Sequence, residues 1–111
     1  MYEEIARRRN TLTVLQNFPN PFKDSTSISF ALQEVAHVLA IIFKYDKDEK
    51  KEIGVRRLVD KDMPSGANIV VWNGTDNEGR NLPPGRYLCR FLRPFVYKQD
   101  PYITIAMEKI N

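Results

Sequence analysis

Hydrophobic and polar positions alternate with a period of two along most of this chain, which is the spacing of β-strands. After Ser25, the residues Thr26, Ile28, Phe30 and Leu32 alternate with serines and Ala31, placing Ile28, Phe30 and Leu32 on a buried face. Residues 37–45, HVLAIIFKY, form the most apolar segment and are expected as a central strand. Residues 53–59 return as its partner, and Asn68 to Trp72 form a further strand. Between Arg86 and Leu92, Tyr87, Cys89 and Phe91 share one face. Between residues 102 and 110, Ile103, Ile105, Met107 and Lys109 lie opposite Tyr102, Thr104 and Ala106. Leu12 and Val14 alternate with threonines as a short edge strand. Residues 1–10 are expected as an N-terminal arm or short helix, and no longer window carries helical periodicity. About seven short strands separated by turn signals predict a single all-β domain over residues 11–111, an antiparallel β-sandwich.

The connections are equally specific. Residues 46–52, DKDEKKE, can only be a solvated hairpin tip. Pro64-Ser65-Gly66 is a turn, and NGTDNEGRNLPPG supplies Gly74, Gly79 and Gly85 for positive φ and Asp76 and Asn77 for side-chain turns. Pro19 and Pro21 fix their own φ and push Phe18 and Asn20 toward extended geometry. Residues 17–22, NFPNPF, therefore read as a rigid corner that cannot join a central ladder, with Phe18 and Phe22 as braces and at least one of them closing the end of the core.

Composition narrows the function. A length of 111 residues holds one core, and the lone Cys89 excludes an internal disulfide. Cys89 sits among core aromatics and reads as a small buried hydrophobe. The net charge of +3 is concentrated at Arg7, Arg8 and Arg9 and around Arg56, Arg57 and Lys61. Without zinc spacing or a recognition helix, the arginine triplet reads as a partner-facing arm rather than a nucleic-acid contact. The longest apolar run, Val38 to Phe43, is far short of the ~20 residues a membrane helix needs. The acidic start has no apolar signal region. The expected location is the cell surface if this is a fragment of a longer exported chain, and the cytoplasm if it is complete. His37 is the single histidine, at a strand end, and offers no triad or metal cluster. Asp76 to Gly79, DNEG, lacks the carboxylate ladder of a calcium loop and reads as a self-capped turn. Asn73 to Thr75 matches a glycosylation triplet by a three-residue pattern alone. No catalytic residues, no cofactor and no metal are expected, and Trp72 is expected in the core beside Tyr87.

Four motifs in order carry a resemblance. They are Asn17, Pro19, Asn20, Pro21 and Phe22; the Ser/Thr-rich strand from Ser25 to Phe30; Gly66, Trp72, Gly74, Asp76 and Gly79; and Gly85 with Tyr87. Over residues 12–110 the chain resembles the C-terminal immunoglobulin-like domain of the type IX secretion sorting family (type A) and the related domain of flagellar hook-capping proteins. The resemblance implies an immunoglobulin/fibronectin-III-like sandwich and a non-catalytic sorting or anchoring module. Such a module would be read through the edge offered by its last strands, Arg86–Leu92 and Tyr102–Asn111. The long charged hairpin, the aromatic connection 93–102 and the arginine arm suit a second role, an assembly subunit packing with its own copies or a scaffold. Arg7, Arg8, Arg9, Phe95, Tyr97 and Tyr102 are then the candidate partner contacts. A minor alternative, glycan binding, would use Phe95, Tyr97 and Tyr102.

Overall fold

The computed structural model describes residues 11–93 and 102–111. It contains seven strands: β1 (Leu12–Val14), β2 (Thr26–Leu32), β3 (Ala36–Asp46), β4 (Lys51–Met63), β5 (Gly66–Trp72), β6 (Gly85–Arg93) and β7 (Ile103–Lys109). They form a three-stranded sheet, β1-β2-β5, packed on a four-stranded sheet, β4-β3-β6-β7, with every strand pairing antiparallel. The expected all-β sandwich is observed. β3, the most apolar segment, lies between β4 and β6 as an inner strand.

Alternation decides what is buried. Ile28, Phe30 and Leu32 of β2, Val38, Ala40 and Ile42 of β3, Tyr87, Cys89 and Phe91 of β6 and Met107 of β7 all point between the sheets. Each large side chain buried this way contributes roughly 1.5–3 kcal/mol of apolar transfer free energy. Phe22, Trp72 and Tyr87 stack in sequence at one end, with centroid separations of 5.5 Å and 5.4 Å. Phe30 meets Phe91 in the middle at 5.2 Å. Tilted and edge-on ring pairs of this kind add to the burial itself. The Tyr87 hydroxyl, at the start of β6, donates to the Pro83 carbonyl, forming the tyrosine corner characteristic of immunoglobulin-like sandwiches.

β4 departs from simple alternation. Its register against β3 shifts twice, leaving Val55 and Leu58 without partners. Both turn toward the core and pack against it, although Arg56 and Arg57 stand between them. Two bulges thus let a strand with a paired-arginine interruption keep its apolar residues inside. The strand is also longer than residues 53–59, because the hairpin carries regular pairing out to Asp46 and Lys51.

Candidate contact surface

The proline corner is built from amides. Asn17 is 2% exposed; its Nδ2 donates to Thr26 Oγ1 at 2.9 Å and to the Pro19 carbonyl at 3.2 Å. Its Oδ1 accepts from Gln16 Nε2 at 2.6 Å. Thr26 Oγ1 in turn donates to the Pro19 carbonyl at 2.8 Å, closing a small satisfied network inside the fold. The Phe18–Pro19 and Asn20–Pro21 peptides are both cis. Phe22 is buried against Trp72 and closes the core. The expectation that Phe18 also braces the corner is corrected: its ring is 79% exposed, because its backbone pairs with Ser27 and the alternation of that pair sends the side chain outward.

The corner also seals a sheet edge. Phe22 N–H donates to the Glu108 carbonyl at 2.9 Å, and Ile110 N–H donates to the Phe22 carbonyl at 2.8 Å. Asn20 Oδ1 accepts from Glu108 N–H at 2.9 Å, and Gln16 Nε2 donates to the Ala106 carbonyl at 2.7 Å. These groups lie on the outer side of β7, so its C-terminal half is already occupied by the chain's own residues. The sequence-based expectation of a readable edge over Arg86–Leu92 and Tyr102–Asn111 is therefore corrected: β6 is paired on both sides by β3 and β7, and the outer side of β7 is bonded from Ala106 to Ile110.

A second corner does the same for β4. Asp76 accepts from the N–H groups of Glu78 and Arg80, both at 2.9 Å, and from Arg80 Nε at 3.1 Å. These donors, the Arg80 N–H foremost, hold its carboxyl below the ordinary carboxylate range. Next to it, Asn77 N–H donates to the Val55 carbonyl at 3.1 Å, and Asn77 Oδ1 accepts from Arg57 N–H at 2.8 Å. Arg56 Nη1 donates to Thr75 Oγ1 and to the Asp76 carbonyl. Trp72 Nε1 donates to the Thr75 carbonyl at 2.9 Å, tying the turn to the core. Gly74, at φ +76°, leaves room for Lys109, whose Cε would stand 2.5 Å from any Cβ built there. Gly79 also adopts positive φ, with Gly66 at the preceding turn and Gly85 at the start of β6. Asn17, Asn20, Phe22, Trp72, Gly74, Asp76 and Tyr87 thus each hold a turn, an edge or the core.

The remaining singled-out residues separate into groups. Arg7, Arg8, Arg9, Phe95 and Tyr97 lie outside the described residues, and Tyr102, just before β7, is 60% exposed. His37 stands exposed on β3, with Nε2 2.6 Å from Asp60 and Nδ1 3.1 Å from Asp62. Those carboxylates, Asp60 first, raise its pKa above the ordinary value. Burial pushes the Cys89 thiol up to about 12, as suits an inert core residue. Among the described residues no group of three His, Cys, Asp or Glu side chains is placed to hold a metal ion, and no helix is long and apolar enough to cross a membrane.

The outer face of the three-stranded sheet has a different character. Phe18, Ile69 and Val71 are 79%, 66% and 59% exposed. Ser27 lies between Phe18 and Val71, and Ser29 is paired with Ile69. No charged side chain belongs to β2 or β5. On the outer face of the four-stranded sheet Arg90 is bonded to Glu52 at 2.8 and 3.1 Å and lies 4.9 Å above the Phe43 ring, while Tyr45 of β3 stays exposed. The sequence reading passed over Ile69 and Val71. The signal was present: Ile69 to Trp72 is an unbroken apolar run, so a strand there has to show apolar side chains on both faces.

No known family model matches the chain, and no curated protein matches it.

Proposed function

We propose that this domain is a non-catalytic contact module, acting through protein–protein interaction in the manner of the C-terminal sorting and anchoring domains it resembles. The observation that supports this reading is the outer face formed by Phe18, Ile69 and Val71 around the serines of β2, with no charged residue in β2 or β5. A row of exposed apolar side chains of this kind is costly to leave in water and is characteristic of a binding surface. Trp72 is fully buried and the Asp76 oxygens are engaged by their own turn, so neither supplies a ligand platform.

The test is to join the chain to the C-terminus of a reporter that already carries an export signal, in a bacterium with a type IX secretion system. The fusion is expected outside the outer membrane. Retention in the periplasm, equal to that of the reporter alone, would overturn the sorting role. A second reading, an assembly subunit, is favoured by one specific feature, the open backbone edge of β5.

A further inference from the structure

The direction of the backbone groups along β5 follows from those of β2. Ser27 exchanges both backbone hydrogen bonds with Phe18, and the Ser29 carbonyl accepts from Leu15 N–H. The odd-numbered residues of β2 therefore face β1, and the even-numbered residues bond β5. In an antiparallel ladder this makes Ile28–Val70 and Phe30–Asn68 the hydrogen-bonded pairs. The N–H and C=O groups of Ala67, Ile69 and Val71 then point away from β2, and among the described residues nothing bonds to them. Their side chains are all exposed on the outer face.

We infer that β5 pairs antiparallel with β5 of a second copy of this chain, about a two-fold axis through Ile69, making one continuous sheet from two three-stranded ones. The register is fixed by the geometry. Ile69 lies opposite Ile69 of the other copy, and Ala67 lies opposite Val71. All the outward backbone groups of these three residues then find partners at once. Isologous pairing sets each strand against itself, so charge decides which edge tolerates it. β4 carries Lys51, Glu52, Arg56, Arg57, Asp60, Lys61 and Asp62, and β7 carries Glu108 and Lys109. Both are also blocked in part by the two corners. β1 has only three residues. β5 has seven residues with no charge and no proline, so nothing opposes a like strand across the axis. The joined sheet also doubles the apolar row, with Phe18 and Val71 of each copy flanking the two Ile69 side chains. Seven residues a side falls short of the roughly 20–30 that a standard interface uses, so the dimer depends on concentration.

This inference rests on the contact-module reading and names its partner. It is tested by light-scattering mass over a wide concentration range on the whole chain and on three variants. The native chain is expected to move toward twice its monomer mass as concentration rises. Ile69→Lys, which places two ammonium groups against each other on the axis, is expected to stay monomeric. Tyr45→Lys, on the exposed hairpin, is expected to behave as the native chain. An equimolar mixture of Ile69→Lys and Ile69→Asp is expected to recover the doubled mass. Circular dichroism confirms that each variant is folded. A native chain that stays monomeric throughout would overturn the pairing and leave the edge to a strand from another protein. A dimer indifferent to Ile69→Lys would overturn it as well. Export of the reporter fusion reads the contact-module proposal separately, so a monomer that is still exported rejects the pairing alone.

Discussion

β5 and β7 are both outermost strands of seven residues, each at the edge of its sheet, yet their free sides differ. Along β7 the carbonyl of Ala106, both backbone groups of Glu108 and the N–H of Ile110 are bonded by Gln16, Asn20 and Phe22. Along β5 the corresponding groups meet no described residue. The difference shows that this protein protects edges with folded corners rather than with charge alone, and that among the described residues no such corner bonds the outer side of β5. Asn20 and Asn77 have parallel roles there: each is a turn residue whose side-chain oxygen accepts a backbone N–H from an edge strand. Such capping removes the strand-pairing template that an open edge presents.

The largest effect falls on Phe22, which both fills the core and bonds β7. Phe22→Ala is expected to cost about 3–5 kcal/mol in urea unfolding, with loss of the corner contacts in the same step. A change below about 1 kcal/mol would show that the corner is dispensable to the core. Asn17→Ala comes next, at about 1–3 kcal/mol, since it leaves buried polar groups of the corner short of a partner. Asn20→Ala and Asn77→Ala should each cost about 1 kcal/mol. Their effects should add in the double variant, because they act on opposite edges. By contrast, Ile69→Thr on the open edge should stay within about 0.5 kcal/mol for the monomer. If Asn20→Ala proved as mild as Ile69→Thr, the two edges would not differ energetically.

The smallest effect concerns pH. The folded pKa of His37 lies above 6.5, so its pairing with Asp60 and Asp62 stabilises the fold fully below the unfolded value and is lost as pH rises through the folded one. Asp76 has the opposite sign. Its folded pKa lies below 3.8, so its contribution is present above that value and is lost as pH falls through the folded one. An NMR titration of the His37 ring is expected to give a midpoint above 6.5 that returns toward it in Asp60→Asn. A midpoint unmoved by Asp60→Asn would show that the pair is not formed in solution.

Much of the fold was legible because alternation is a one-body signal: each of Ile28, Phe30, Leu32, Tyr87, Cys89 and Phe91 declares its face by position alone. Trp72 was expected in the core although its run, Ile69 to Trp72, does not alternate, and it is buried beside Tyr87. The bulges at Val55 and Leu58 were not legible, since they break the very alternation used to read the strand. The outward Phe18 was missed because the corner places its backbone, through Ser27, and no local pattern distinguishes it from Phe22. The capping of β7 joins residues 16–22 to residues 106–110, a separation that turn chemistry read locally cannot bridge. The open edge of β5 was not legible either, because it depends on which strand lies outermost in the sheet.

Amide hydrogen exchange, followed residue by residue at low protein concentration, tests the contrast most directly. Strong protection is expected at Glu108, Ile110 and Arg57, whose N–H groups are held by Asn20, Phe22 and Asn77. Rapid exchange is expected at Ala67, Ile69 and Val71, slowing as concentration rises. Protection at those three residues already at the lowest concentration, or rapid exchange at Glu108 and Ile110, would contradict it.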